Sequence, residues 1–204
     1  MIAILNSASD PEIIARNAGL LLEIASLPQT VGDYSRSGLL AIAVGHLEQH
    51  LTLLESITKG VPSTVPAGES RVSALVKATA QRYGSNFDPD GHFVRAVIYT
   101  IEVRNSIVHR EGRIDRRFIS LVGEDAVPRE AYGGILDTSA GPISEHLDVL
   151  TGFSIRACLF AWTTSSDDLT YSKPAMNLAR GVFGVHSKGF AQQFLTNVAP
   201  LDWP

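Results

Sequence analysis

The sequence predicts an all-α fold, an antiparallel helical bundle with a C-terminal extension. Three observations predict it. Apolar residues recur at spacings of three and four over Leu39 to Lys59, His92 to His109 and Ile143 to Thr164, the period of helices that bury one face. Stretches rich in Gly and Pro separate these segments, as loops do. Strand-like alternation is scarce, and Ile119 to Val122 is the best short candidate.

Taken in order, Asp10-Pro11 starts a first helix, an N-cap followed by proline at the first helical position. It runs to about Ser26 and stops before Pro28. Residues 29–37 read as a loop. The segment Leu39 to Lys59 is the longest clear helix, with Leu40, Ala43, Val44, Leu47, Leu51 and Leu54 on one face and Gly60 as its stop. A loop with two prolines and two glycines follows, then a helix from Glu69 to Tyr83 with Val72, Leu75 and Val76 inward. Residues 84–91 form another loop. Residues 123–142 carry three turn signals, Val127-Pro128, Gly133-Gly134 and Gly141-Pro142; a connection this long is functional or partly ordered. The second half of the Ile143 to Thr164 segment is apolar on nearly all sides, so it is expected at the centre of the core. Ser165 to Ser172 reads as a polar linker, and the pattern beyond Pro174 fits broken helices and a packed irregular arm equally.

Length and composition narrow the function classes. The chain has 204 residues, 45% hydrophobic and 19% charged, with net charge −4. That is globular composition and one domain: a helical domain over residues 1–164, its core at about 39–164, with residues 165–204 packed on it. The net charge excludes a chain that is basic throughout, so any nucleic-acid contact requires a local patch. The single Cys158 excludes an intrachain disulfide or a cysteine-based zinc site, and Ala157-Cys158-Leu159-Phe160 reads as a buried thiol. Met1 to Leu5 is too short, and lacks the basic flank, for a signal peptide. No apolar run reaches the roughly 18 residues of a membrane span. A cytoplasmic protein with no membrane contact is expected.

The segment Ile101-Glu102-Val103-Arg104-Asn105-Ser106-Ile107-Val108-His109-Arg110-Glu111-Gly112-Arg113 carries the most chemistry. On a wheel of about 100° per residue, Val94, Val97, Ile98, Ile101 and Val108 share an apolar stripe. Arg104 and Asn105 fall on that stripe's edges and His109 just beside it. Burying an unpaired amide costs roughly 2–7 kcal/mol. The polar groups therefore need either a subunit boundary or cleft, or a buried network with Glu102 as a partner. Beyond the helix, Arg110, Arg113, Arg116 and Arg117 face only Glu111 and Asp115 in sequence. This is the local basic patch. Such cations complement a helix C-terminus, and they also suit phosphate.

Arg104-Asn105 followed by His109 at a helix end, then a basic turn through Gly112, resembles the signature of the HEPN superfamily (higher eukaryotes and prokaryotes nucleotide-binding domains). The likeness covers Leu39 to Trp162 in layout, and Arg104 to Gly112 in residue detail. It implies a HEPN-like bundle that dimerises and acts as a metal-independent endoribonuclease, leaving 2′,3′-cyclic phosphate and 5′-OH ends. Arg104, Asn105 and His109 would be catalytic, with Arg110, Arg113 and Arg116 on RNA phosphates. Glu102 and Glu48 would support them; Leu47-Glu48-Gln49-His50-Leu51 resembles the family's leucine-rich helix with its glutamate, although Glu48 also fits a solvated surface position. No cofactor or metal is implied. The partners implied are RNA, a second copy of the chain and a neutralising antitoxin protein, in a toxin or antiphage-defence role. The alternative is a HEPN-like module that binds nucleotide, RNA or a protein partner without cleaving.

The chemistry suits these residue types. Attack of a 2′-oxygen on the adjacent phosphate needs proton transfer at both oxygens and charge stabilisation between them. Histidine titrates near neutrality and moves protons there. Arginine is always charged and grips phosphate oxygens. Other classes fit less well. His46 and His50 stand one turn apart, but no third metal ligand accompanies them, and His50 reads as a histidine at the edge of the core. No Glu-x-x-His occurs for a di-iron bundle, and no Gly-x-Ser-x-Gly for a serine hydrolase.

Overall fold

The computed structural model describes residues 24, 32–57, 65, 68–83 and 91–165, with the backbone alone at 33, 34, 56, 57, 83, 155 and 158–165. Among these residues there are five α-helices and no strand: α1 Asp33–Ile57, α2 Arg71–Tyr83, α3 His92–Arg110, α4 Arg116–Val122 and α5 Ala140–Ser165. The all-α expectation holds. The expected helix from Asp10 lies outside the described residues except Ile24, which is helical and buried. Gly60, the Cys158 thiol and the extension beyond Ser165 also lie outside them.

Local chemistry explains the helix starts, including those the sequence misplaced. α1 begins at Asp33, inside the expected loop. There the Gly32 carbonyl accepts the N–H of Ser35 (2.9 Å) and Arg36 (3.3 Å), so backbone bonds carry a polar first turn that hydrophobic periodicity cannot reveal. Ser70 caps α2, its Oγ accepting the Ser73 N–H at 3.2 Å. α5 begins at Ala140, where the Ser139 carbonyl accepts the Ile143 N–H at 3.2 Å. Pro142 sits in the first turn, where no N–H bond is required.

The strand candidate Ile119 to Val122 is a correction: it belongs to helix α4. Phe118 is buried, with Ile119 and Val122 half-buried against the core, which is helical spacing. Asp115 decides the matter, because its carboxylate accepts the Phe118 N–H at 2.7 Å. Asp115→Ala is expected to cost about 1 kcal/mol, with Asp115→Asn nearly neutral, since asparagine caps as well as aspartate. Urea unfolding of both variants checks this.

The long connection before α5 is ordered. It forms two 3₁₀ turns, Glu124–Ala126 and Arg129–Ala131, then returns to the turn after α3. Ile114 N–H donates to Gly134 O (3.0 Å), Gly133 N–H to Ile114 O (2.9 Å) and Leu136 N–H to Gly112 O (2.8 Å).

The core lies between the apolar faces. Leu47 and Leu51 of α1, Leu75 of α2, Ile101 of α3, Phe118 of α4, and Leu147 and Phe153 of α5 are almost fully buried. Burying each such side chain contributes about 1.5–3 kcal/mol. The last helix packs on α1 and α3, and the side chains from residue 158 onward, on which its expected central position rests, lie outside the described residues; α3 packs on all four others. That central position puts the motif on the best-supported helix.

Candidate active site

Helix α3 is buried on different sides along its length. Val97, Ile101 and Val103 are inside at mid-helix. Towards its end, Ser106 is buried and Arg110 is largely covered. Val108, expected in the apolar stripe, is instead 47% exposed. The reason is the turn that follows. Glu111 (φ 55°) and Gly112 (φ 74°) are both left-handed, the Gly112 N–H donates to Ser106 O at 3.0 Å, and Ser106 Oγ donates to Arg113 O at 2.7 Å. The chain folds back over the Ser106 side and leaves the opposite side open. On the wheel, Arg104, Val108, Asn105 and His109 lie at about −60°, −20°, +40° and +80° from Ile101. Val108 and His109 are exposed there, and Arg104 and Asn105 lie half-buried on either side of the valine.

On that face a polar chain is already connected. Arg104 Nη1 donates to Asn105 Oδ1 at 3.0 Å, and Asn105 Nδ2 donates to Glu102 Oε1 at 3.2 Å. Glu102 is 5% exposed, and its other oxygen lies 3.8 Å from Arg110 Nη2. Arg110 Nε in turn lies 3.9 Å from Asp115 Oδ2. Asn105 is therefore oriented from both ends of its amide. Arg104 is half-buried, and its Nε has no hydrogen-bond partner. His109 is exposed. The structure brings Arg104, Asn105 and Glu102 together and leaves His109 at the solvent edge.

The other expected residues divide. Arg110 faces inward, placed to balance Glu102. Arg113 is 62% exposed, with its Nε 3.9 Å from Glu111. Arg116 is exposed, and its Nε donates to the Tyr132 hydroxyl at 3.2 Å. Glu48 pairs with Arg71 of α2 at 3.6 Å, both substantially exposed. An open cleft of about 450 Å³ reaches Glu102 from the side of α2 and α4, with Lys77, Arg117, Ser73 and Ser120 on its walls. Lys77 is held there by Glu69 at 2.6 Å. Sequence periodicity gave no sign that Lys77 and Arg117 line one cleft, because α2 and α4 are brought together only by the fold.

Two histidines sit away from the motif. His50 is 1% exposed and its Nε2 donates to Ser154 O at 3.3 Å. Burial pulls its pKa down to about 4, against the opposing pull of that carbonyl. His146, which the sequence did not single out, lies with Nδ1 3.0 Å from Thr100 Oγ1 and its ring 5.9 Å from that of Tyr99. Burial also lowers its pKa to about 4. Among the described residues, no group of three or more His, Cys, Asp or Glu side chains is placed to hold a metal ion. No described helix is long and apolar enough to cross a membrane.

No family model, curated protein or solved structure matches this chain.

Proposed function

We propose that the chain is a metal-independent endoribonuclease of HEPN type, acting at a site shared by two copies. The observation that carries the reading is the open face at the end of α3. Arg104, Asn105 and His109 flank an exposed Val108 there, so a second copy docking on that valine would bring two sets of the same groups together. One His109 would take the proton from the RNA 2′-OH. As the 2′-oxygen bonds to phosphorus, the bond to the 5′-oxygen breaks, and the other His109 would protonate that leaving oxygen. Arg104 would neutralise the charge gathering on the phosphoryl oxygens, held in place by Asn105, which Glu102 orients. The products are a 2′,3′-cyclic phosphate and a 5′-OH. This reading takes α1, α3 and α5 as the antiparallel core of the family's bundle, and a neutralising protein partner remains part of it.

A second reading, binding without cleavage, has its own support. The links from Arg104 through Asn105 to Glu102 and Arg110 lie within one copy, and such a network can serve to fix a helix end. Incubating purified protein with mixed RNA in EDTA separates the two. The ribonuclease reading expects cleavage with cyclic phosphate ends. Intact RNA, or cleavage that needs added magnesium or manganese, would overturn it.

A further inference from the structure

Alongside α4 lies a second open cleft, of about 650 Å³, lined by Arg116, Ile119, Val127, Pro128, Arg129 and Tyr132. Its size falls within the roughly 300–1,000 Å³ of small-ligand sites. The floor is apolar: Val127 is buried and Ile119 half-buried. The walls are cationic and aromatic. Tyr132 is 48% exposed. Two bonds fix it. Its N–H donates to Arg129 O at 3.2 Å, which puts Arg129 and Tyr132 on one turn, and its hydroxyl accepts from Arg116 Nε at 3.2 Å. That second bond uses only the Nε of Arg116, and its two Nη groups have no partner among the described residues. Among the described residues, no carboxylate lies within ion-pair distance of Arg116 or Arg129. Glu124 also borders the cleft, and the two guanidiniums outnumber it.

We infer that this cleft is a single-stranded RNA subsite, in which one base stacks on Tyr132 while Arg116 and Arg129 hold the adjoining phosphate. It rests on the ribonuclease reading only for the identity of the polymer. A flat exposed ring beside guanidiniums that have no carboxylate partner among the described residues is the pairing that single-stranded nucleic acid uses. A simple anion would use the guanidiniums and leave the ring without a role. The acidic side chains of a peptide offer the ring no base-sized π-face. The placement also fits a strand leading to the motif. Ser120 borders both this cleft and the one that reaches Glu102. A strand crossing α4 would thus pass Arg117 and Lys77 on its way to the Arg104 network.

The test is anisotropy titration of a labelled ten-nucleotide oligouridylate on the full chain carrying His109→Ala, to silence cleavage. Adding Tyr132→Ala or Arg129→Ala should weaken binding about ten-fold. Arg129→Ala should also lower the slope of log affinity against log salt by about 0.7. Tyr132→Phe, which keeps the ring, should bind within about two-fold of the parent. Uridine monophosphate should compete where inorganic phosphate does not. Unchanged binding in Tyr132→Ala would overturn the subsite, as would Tyr132→Phe failing as badly as Tyr132→Ala. Polyglutamate competing as well as RNA, or no binding by the parent, would also overturn it. The two readings fail separately. Loss of binding in Tyr132→Ala, with no cleavage by the chain retaining His109, keeps the subsite and removes the nuclease. Cleavage with binding indifferent to Tyr132 does the reverse.

Discussion

His109→Ala is expected to lower RNA cleavage by about 10²–10⁴-fold, the usual contribution of a proton-transfer group, and Arg104→Ala by about 10²–10³-fold, that of a group stabilising transition-state charge, while helical content stays unchanged. The structural costs of the two substitutions differ, which makes the pair informative. His109 is exposed at the edge of α3, so its removal disturbs no packing. Arg104 is half-buried and donates to Asn105, so its loss also releases one end of the Asn105 amide. A hydrogen bond of this kind contributes about 0.5–1.5 kcal/mol net. The ribonuclease reading expects both variants to be inactive and only Arg104→Ala to melt slightly earlier. The binding reading expects the same melting pattern with no cleavage by any form. Activity assays beside thermal melts check this. A His109→Ala chain that still cuts RNA would remove the proposed mechanism.

Stability is expected to fall by a few kcal/mol as pH drops from about 6.5 towards 4. The sign follows from His50 and His146. Both have folded pKa values lowered by burial to about 4, whereas the unfolded chain takes up protons near 6.5. Between those values the unfolded state binds more protons, so each histidine removes up to about 1.4 kcal/mol per pH unit. Above the unfolded value neither contributes a slope. Glu55 opposes them. Burial raises its pKa, against the pull of Arg82 at 2.8 Å, so its share of stability grows as pH falls through its folded pKa. Urea unfolding at intervals from pH 8 to 4.5 measures the balance. His146→Phe, which keeps a ring beside Tyr99, should flatten the fall by up to about half. Stability independent of pH between 7 and 4.5 would refute this assignment.

The site was partly legible before the fold. Arg104, Asn105 and Glu102 stand within one helical turn, so their meeting follows from helix geometry. The stop at Gly112 was also legible, because a glycine relieves the left-handed backbone there. The reach of Arg116 to Tyr132 was not, since it depends on two 3₁₀ turns and a return to the turn after α3. Val108 was misplaced for a related reason. Helical periodicity identifies an apolar side chain but not the segment that covers it.

By itself, the sequence determined the all-α character, the four apolar segments that became α1, α2, α3 and α5, and the coincidence of an Arg-Asn pair, a histidine and a basic turn at one helix end. These are local properties, set by residue spacings within a turn or two. Only the tertiary structure decided which side of α3 stays open, which cations are spent on Glu102 and Asp115, and which histidines are buried. The bond from His50 to Ser154 joins α1 to α5, and that from Thr100 to His146 joins α3 to α5. Such partners are chosen by how helices pack, and packing depends on the shapes of all the buried faces together.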